Sequence, residues 1–341
     1  MAGPAEVAAM RRALDLACTP GVPRGPNPRV GCVLIDRAGC IVAEGYHRGA
    51  GHPHAEVDAL LAAGDQALGA TAVVSLEPCN HTGRTGPCSA ALRDAGVVRV
   101  VYGQPDTSPV ARGGADALRI AGVDVEGGVL ADDARAVNSE WTFAVDHRRP
   151  FVTWKFASTL DGRSAAADGT SRWITSPEAR ADVHGLRAEC DVILVGTGTL
   201  LTDDPRLTVR DGDGVSFERS LQPLRAVMGL RPIPAGAAVT DDAADTVHLA
   251  TRDPHDALAT LFGRNRQRVW LEGGPTVAAA FLREGLVDRV IAYVAPLLLG
   301  SGLAAIGDLG ISTVADAVAL ETSDVTTVGP DLRITARPGK E

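Results

Sequence analysis

The sequence has few aromatic residues, no long apolar run and no excess of positive charge. Phe, Trp and Tyr make up 4% of its 341 residues. The longest uncharged apolar stretches, residues 192–201 and 290–300, are shorter than the ~18 residues that a membrane-spanning helix needs. Lys and Arg number 33 against 42 Asp and Glu, and the net charge of −9 argues against an extended surface for nucleic acid or anionic lipid. We therefore expect a small-molecule ligand, with no nucleic acid and no membrane as partner.

Cysteine is also scarce, and its placement is informative. The N-terminal residues reach Arg11 and Arg12 before any apolar run, so we expect no secretory signal and a cytoplasmic location. In a reducing compartment the six cysteines are not expected to form disulfides. Two of them, Cys79 and Cys88, lie near histidines in the sequence, and this points to a chemical role.

The length suits two domains at ~100–200 residues each. A helical pattern over residues 131–149 ends before Pro150, where a β-rich run begins, so we place the boundary at Arg148 and predict domains 1–148 and 149–341. Helical and strand patterns alternate in both halves, which predicts an α/β fold whose second half has a mostly parallel sheet.

Several elements can be predicted individually. In the first half these are a helix over 5–18, a hairpin of 30–35 with 41–45, a helix after His54, strands at 72–76 and 97–102, and a helix over 90–95. In the second half they are strands at 151–156, 192–195, 226–228, 246–250, 268–271 and 289–294, a helix from residue 276, and a surface loop over 211–222.

A cluster of histidine and cysteine in the first half has the composition of a zinc site. His54-Ala55-Glu56 is followed by Cys79 and Cys88, which provide one imidazole and two thiolates. These ligands suit Zn²⁺ and leave its fourth position for water, as in a catalytic site. Glu56 is placed to carry protons between water and a substrate. Nucleobase deaminases share this pattern, H-x-E followed by P-C-x-x-C, although eight residues separate the two cysteines here.

Two other interpretations of this cluster stay open on the residues alone. Cys79 and Cys88 could be an unrelated pair, with Glu56 on the surface of a helix. A structural zinc site would need a fourth protein ligand, and none has good spacing.

Two glycine-containing loops in the second half follow predicted strands. In residues 196–201, Leu201 replaces the third glycine of the dinucleotide fingerprint, so we reject an ordinary Rossmann site. Residues 272–276 run from a strand into a helix, which would direct free N–H groups towards an anion. A plain strand-to-helix turn is the alternative for this second loop.

Motifs along nearly the whole chain resemble the bifunctional riboflavin-biosynthesis family, diaminohydroxyphosphoribosylaminopyrimidine deaminase fused to 5-amino-6-(5-phosphoribosylamino)uracil reductase. The motifs in the first half are 26–31, 45–47, 54–56 and 78–88, and those in the second half are 155–163, 171–176, 199–205 and 272–275. The resemblance implies a cytidine-deaminase-like α/β/α domain with Zn²⁺ at residues 1–148. It also implies a dihydrofolate-reductase-like α/β domain that binds NADPH at residues 149–341.

The resemblance also implies roles for individual residues. In the first domain it implies substrate contacts at Asn27, His47, His81 and Arg84. In the second domain it implies NADPH contacts at Ala157, Trp173, Thr199, Asp203, Gly274, Pro275, Thr276, Val277, Ala278, Ala279 and Ala280. It implies substrate contacts there at Ser171, Arg187, Leu207, Arg210 and Glu272.

Lys155 is the candidate catalytic residue of the reductase, as Glu56 is of the deaminase. Lys155 could polarise the reacting sugar carbonyl or its imine, or could contact a phosphate. The sequence departs from the family at Gly229-Leu230, where Asp-Ser is usual, so one cofactor contact is expected to be missing.

The expected function is therefore a two-step conversion of one substrate. The first domain would hydrolyse the 2-amino group of 2,5-diamino-6-ribosylamino-4(3H)-pyrimidinone 5′-phosphate, and the second would reduce the ribosyl group to ribityl with NADPH. The alternative is a zinc nucleoside or tRNA deaminase with a non-catalytic, nucleotide-binding regulatory domain. The apolar residues 290–300 suit a core or a subunit interface, which leaves a homo-oligomer (dimer or tetramer) open.

Overall fold

The computed structural model describes residues 1–22, 25–82 and 86–339. The chain forms two compact units, Met1–Arg148 and Arg149–Glu341. Among the described residues, no helix combines the length and the apolar character needed to cross a membrane.

Unit 1 is a sheet between two layers of helices. Its elements are α1 (Pro4–Ala17), β1 (Gly31–Ile35), β2 (Ile41–Tyr46), α2 (Ala55–Ala63), β3 (Thr71–Leu76), α3 (Cys88–Asp94), β4 (Arg99–Gln104), α4 (Gly114–Ile120), β5 (Asp124–Gly127), α5 (Ala131–Val137) and α6 (Ser139–His147). The strand order is β2-β1-β3-β4-β5. β1 pairs antiparallel with both neighbours, whereas β3, β4 and β5 are parallel.

The residues of β1 show why helices cover both faces of this sheet. Cys32 and Leu34 pack in one core with α2 and α3, while Val33 and Ile35 pack in a second core with α1. Successive strand side chains point to opposite faces, so a strand without polar residues needs cover on both sides.

The single helix predicted over 131–149 is wrong. Two helices, α5 and α6, occupy this stretch and meet at Asn138. The buried Asn138 side chain accepts a hydrogen bond from Arg29 N at 2.9 Å and donates one to Arg29 O at 2.8 Å. This two-point contact fixes Asn138 outside helical geometry, because an asparagine that bonds to distant backbone competes with helix continuation.

Unit 2 is built around one larger sheet. Its elements are β6 (Phe151–Thr159), β7 (Arg163–Ala165), α7 (Pro177–Arg187), β8 (Val192–Gly196), α8 (Thr197–Asp203), β9 (Leu224–Met228), β10 (Thr246–Leu249), α9 (Pro254–Gly263), β11 (Arg268–Leu271), α10 (Pro275–Arg283), β12 (Arg289–Ala295), β13 (Leu303–Ala304), β14 (Leu320–Val328) and β15 (Asp331–Pro338). The strand order is β10-β9-β8-β11-β6-β12-β15-β14, and β7 pairs separately with β13. The six strands from β10 to β12 are parallel, which confirms the predicted mostly parallel sheet.

The antiparallel end of this sheet was not predicted. β15 pairs with β12 on one side and with β14 on the other. β14 is exposed along nearly its whole length, so its residues show no buried apolar face from which a strand could be recognised. The predicted loop over 211–222 contains only a short 3₁₀ turn at Arg219–Leu221 and one isolated bridge, Arg210 to Ser216.

Candidate functional site

The structure brings His54, Cys79 and Cys88 together in unit 1. His54 immediately precedes α2, Cys79 follows β3, and Cys88 is the first residue of α3. His54 Nδ1 lies 3.2 Å from Cys88 Sγ and 3.5 Å from Cys79 Sγ, and the three ligand atoms lie within 4.8 Å of one another. One imidazole nitrogen and two sulfurs that converge in this way fit Zn²⁺.

The surroundings of the two cysteines favour a thiolate at Cys79, whereas the hydrogen bond to Cys79 and burial raise the pKa of the Cys88 thiol. Hydrogen bonds from Cys88 and His54 hold the pKa of the Cys79 thiol well below its usual range, although burial opposes this. The backbone N–H of Cys88 also lies 3.5 Å from Cys79 Sγ. A thiolate is the form that binds a metal, so these contacts prepare the cluster for a cation.

Glu56 lies in the first turn of α2 beside this cluster. Its side chain is buried, so the interpretation as a surface helix residue is wrong. Burial, followed by the negative charge of Cys79, raises the pKa of Glu56 to about 7. A carboxyl group with a pKa near neutrality can both accept and donate a proton, as general acid–base chemistry requires.

Glu77 fixes the segment that carries Cys79, and nothing in the sequence had indicated it. Its carboxylate accepts hydrogen bonds from the backbone N–H groups of Asp106, Gly113 and Ala115 at 3.1, 3.2 and 3.0 Å. A Cβ at Gly114 would lie 1.7 Å from the carbonyl oxygen of Pro78, so only glycine fits there. The contacts span 29 to 38 residues, and no local pattern reveals them.

Two of the predicted substrate residues lie next to the metal ligands. Asn27 Nδ2 is 2.9 Å from His47 Nε2, and His47 Nδ1 is 2.9 Å from the carbonyl oxygen of Pro53. His47 Nδ1 therefore donates to Pro53, and Nε2 accepts from Asn27. The rings of His47 and His54 are 5.3 Å apart between centroids. Burial lowers the pKa of His47, which keeps its imidazole neutral.

Of the other two predicted substrate residues of unit 1, the structure describes one, His81. His81 Nδ1 is buried without a hydrogen-bond partner among the described residues, which leaves it able to bind a ligand. Arg84 lies outside the described residues.

Unit 2 contains a second charged cluster. Arg187 at the end of α7 donates to both carboxylate oxygens of Glu272, which follows β11, and the Nε to Oε1 distance is 2.8 Å. Trp270 Nε1 also donates to Glu272. Burial alone would raise the pKa of Glu272, but Arg187 and then Lys155 outweigh it and lower the pKa to about 2. Glu272 is therefore ionised at neutral pH.

Lys155 shares this environment from β6, which pairs with β11. Burial lowers the pKa of Lys155, Glu272 opposes this shift and Arg187 adds to it. Its Nζ lies 5.7 Å from the ring centroid of Tyr293 on β12. A lysine with a reduced proton affinity beside a carboxylate is suited to act on a polar substrate group.

The remaining predicted substrate residues of unit 2 lie in its loops. Leu207 is buried with a left-handed backbone (φ 52°), Arg210 forms the bridge to Ser216, and Ser171 is half-buried before α7. The segment between α8 and β9 thus carries two of these three predicted substrate residues, Leu207 and Arg210.

Two helix N-termini of unit 2 lie at the edge of the sheet formed by the carboxyl ends of its parallel strands. β8 and β11 are parallel neighbours, and each leads at its carboxyl end into a helix, α8 and α10. Gly274 N donates to Thr199 Oγ1 at 3.1 Å, which joins the two loops. A Cβ at Gly273 would lie 2.9 Å from Cβ of Val277, so the loop needs glycine. The N-termini of α8 and α10 at this position fit the pyrophosphate of a dinucleotide.

The other predicted NADPH residues are distributed around this edge. The predicted residues from Gly274 to Ala280 form the N-cap and first part of α10. Arg172 Nη2 donates to the carbonyl oxygen of Asp203 at 2.9 Å, and this contact links Asp203 to the segment of Trp173. Trp173 is 67% exposed, with the Arg180 guanidinium 4.4 Å from its ring centroid. Ala157 lies on β6, paired with Tyr293.

Comparisons with known proteins agree with both halves of this description. Residues 5–104 match the cytidine and deoxycytidylate deaminase zinc-binding region, and residues 150–334 match the RibD C-terminal domain. The chain is 49% identical over 308 residues to the riboflavin biosynthesis protein RibD of Mycobacterium tuberculosis H37Rv, with 90% of each chain covered. It is 41% identical over 355 residues to RibD of Escherichia coli K12, with 95% of this chain and 96% of that protein covered. The chain belongs to the RibD family.

Solved RibD structures have the same fold over nearly the full length. Acinetobacter baumannii RibD (form 2) has a TM-score of 0.90 and 36% identity, with 98% of this chain and 99% of that chain covered. The deaminase/reductase of Thermotoga maritima has a TM-score of 0.86 and 31% identity over the same shares. The predicted family and fold class are confirmed, and so are Zn²⁺ and NADPH as cofactors of a bifunctional RibD deaminase and reductase. The alternative of a deaminase with a non-catalytic second domain is not favoured.

Proposed function

We propose that residues 1–148 deaminate a diaminopyrimidine ribose phosphate and that residues 149–341 reduce its ribosyl group. The Thermotoga maritima relative carries both names, diaminohydroxyphosphoribosylaminopyrimidine deaminase and 5-amino-6-(5-phosphoribosylamino)uracil reductase. The observation that carries the proposal is buried Glu56, with its pKa raised to about 7, beside the convergent His54, Cys79 and Cys88. This combination of a proton carrier with a zinc-type ligand set is the one that nucleobase deaminases use.

In the deamination, water replaces the 2-amino group, and ammonia leaves. When bound, zinc at His54, Cys79 and Cys88 supplies a Lewis acid that makes the attacking water easier to deprotonate. Glu56 takes one proton from the attacking water and gives it to the ring nitrogen. It then takes the second proton from the newly added hydroxyl group and gives it to the amino group, which leaves as ammonia. Asn27 and His47 form a hydrogen-bonded pair at the same place and would orient the substrate.

In the reduction, the ribosyl ring opens, and its first carbon receives a hydride. When bound, NADPH at the N-terminus of α10 supplies that hydride. Lys155 polarises the carbonyl or imine of the opened sugar, while Arg187, Arg210 and Glu272 orient the substrate. The expected substrate therefore binds in both units through its ribose phosphate.

We also propose that the chain forms a homo-oligomer through the β14 edge of unit 2. β14 is the last strand of its sheet, and its Leu320 and Val325 are 48% and 59% exposed. An exposed edge strand has a row of unpaired backbone N–H and C=O groups, which can pair with a strand of another chain. Val325→Lys should dissociate the oligomer and so lower the mass of the assembly in solution, as measured by light scattering.

A cytoplasmic location remains a prediction.

The central test follows both products at once. The purified protein is incubated with the diaminopyrimidine ribose phosphate, with and without NADPH, while ammonia and NADPH oxidation are measured. We expect ammonia in both incubations and NADPH oxidation where NADPH is supplied. Ammonia without NADPH oxidation would contradict the reductase assignment, and no ammonia in either incubation would contradict the deaminase assignment.

A further inference from the structure

Two buried polar atoms beside Arg187 have no hydrogen-bond partner among the described residues. They are Nδ1 of His184 and Oγ1 of Thr208. A buried polar atom without a partner destabilises the folded chain, so folded proteins rarely retain one without a use for it. Two such atoms near one ion pair indicate a place where another molecule supplies the partner.

His184 and Arg187 share one face of α7. They are three residues apart in this helix, a spacing that places side chains next to each other. The charged groups that act on His184 are those of the reductase cluster, namely Arg187, Arg210, Glu272 and Lys155. The imidazole is therefore among the predicted substrate and catalytic residues rather than on a separate surface.

Thr208 reaches the same ion pair from the loop between α8 and β9. Its carbonyl oxygen accepts a hydrogen bond from Arg187 Nη1 at 3.4 Å, and its side chain is buried. Leu207, the preceding residue, has a left-handed backbone (φ 52°), which costs energy in a leucine and is retained only where surrounding structure fixes it. This constraint fixes the position of Thr208, whose hydroxyl has no hydrogen-bond partner in the described part of the chain.

The charged groups and the neutral groups suit different parts of a sugar phosphate. Lys155 and Arg210 carry positive charge, and Arg187 is already paired with Glu272, so the cations match the phosphate. His184 is neutral at physiological pH, because burial and then the two arginines lower its pKa to about 4. A neutral imidazole N–H and a hydroxyl match the uncharged hydroxyl groups of a sugar.

We propose that His184 and Thr208 bind the hydroxyl groups of the ribosyl chain in the reductase site. This inference rests on the reductase function proposed above. It adds two uncharged contacts to a site whose other polar members are mostly ionic. A site that hydrogen-bonds a substrate hydroxyl gains specificity, because its buried groups stay unpaired when that hydroxyl is missing or misplaced.

The test measures NADPH oxidation by the full chain on the deaminated substrate. His184→Leu and Thr208→Val remove the hydrogen-bonding groups, and His184→Gln retains one. We expect each apolar variant to raise KM about 5- to 10-fold, as for the loss of one hydrogen bond, and His184→Gln to recover most of the loss. The dissociation constant for NADPH, measured by fluorescence titration, should not change. His255→Leu, at an exposed histidine of the same unit, is the matched control and should leave KM unchanged.

Three outcomes would overturn the inference. The first is an unchanged KM in both apolar variants, and the second is weaker NADPH binding, which would indicate a structural role. The third uses the dephosphorylated substrate: if the penalty of His184→Leu disappears with it, His184 contacts the phosphate and not a hydroxyl. If the wild-type protein oxidises no NADPH, the proposed reductase function itself has failed.

Discussion

Arg187 and Glu272 form a two-point ion pair inside unit 2, although they are 85 residues apart in the sequence. The pair joins the end of α7 to the loop that leads from β11 into α10. Arg187 is a predicted substrate contact, but much of its guanidinium is already engaged by Glu272 and by the carbonyl oxygen of Thr208. The arginine thus connects the predicted substrate residues to the predicted cofactor loop.

Arg187→Met should lower the free energy of unfolding by about 3–5 kcal/mol, because it leaves the buried Glu272 carboxylate without its ion-pair partner. The double variant Arg187→Met/Glu272→Gln also removes the uncompensated charge, so it should lose less stability than Arg187→Met alone. Urea denaturation measures both. A double variant less stable than Arg187→Met would show that the ion pair is not the source of the loss.

Glu56→Gln should reduce ammonia release at least about 100-fold, because glutamine cannot carry the proton. NADPH oxidation on the deaminated substrate should be unchanged. Asp65→Asn, at an exposed acid that follows α2, is the matched control and should retain full activity. Deamination by Glu56→Gln at a rate near that of the wild type would exclude the proton-carrier role.

Cys79→Ser and Cys88→Ser should each remove most of the bound zinc, measured by atomic absorption, and with it the deaminase activity. A chelator should do the same to the wild type and leave NADPH oxidation intact. Cys40→Ser provides the control, since Cys40 is an exposed free cysteine of the same unit. Equal zinc content in all three variants would contradict the ligand assignment.

Asn138→Ala should lower the free energy of unfolding by about 1–3 kcal/mol, because it removes two buried hydrogen bonds, one to the backbone N–H and one to the C=O of Arg29. Asp146→Ala, at an exposed position of α6, should change it by less than about 0.5 kcal/mol. Thermal or urea denaturation of the two variants gives the comparison. Equal stability would mean that the Asn138 contact contributes little.

His184 should make unit 2 sensitive to acid. Its pKa in the folded chain is about 4, against an ordinary value of 6.5. Between these values the unfolded chain binds a proton that the folded chain does not, so the free energy of unfolding falls as the pH decreases from 6.5 to 4. His184→Gln removes this titration and should lose less stability on acidification than the wild type, as measured by denaturation at several pH values. An identical loss in His184→Gln would place the titration elsewhere, and His255→Gln should behave like the wild type.

Residues grouped in short motifs could be predicted from the sequence. His54 and Glu56 are two residues apart, and eight residues separate Cys79 from Cys88, so a known ligand pattern indicated their chemistry. The parallel strands of unit 2 were equally accessible, because a strand buried on both faces reads as a continuous apolar run.

Features that depend on distant contacts were not accessible in this way. The break between α5 and α6 depends on Arg29, which is 109 residues from Asn138. His184 lies in an ordinary amphipathic helix, and only the folded chain places it near Arg210 and Glu272. β14 has no apolar side to distinguish it from a loop. In each case the feature depends on the folded structure, and no local sequence pattern reveals it.

The close approach of Gly114 to Pro78 extends the constraints of the metal centre to a residue that never touches the metal. Any side chain at position 114 must push the carbonyl of Pro78 aside, and Cys79 follows directly on that carbonyl. Selection for zinc affinity should therefore act on Gly114 as strictly as on the ligands. Random mutagenesis scored only for ammonia release would recover substitutions at Gly114 as inactive, and a reader of those data could mistake this glycine for a catalytic residue.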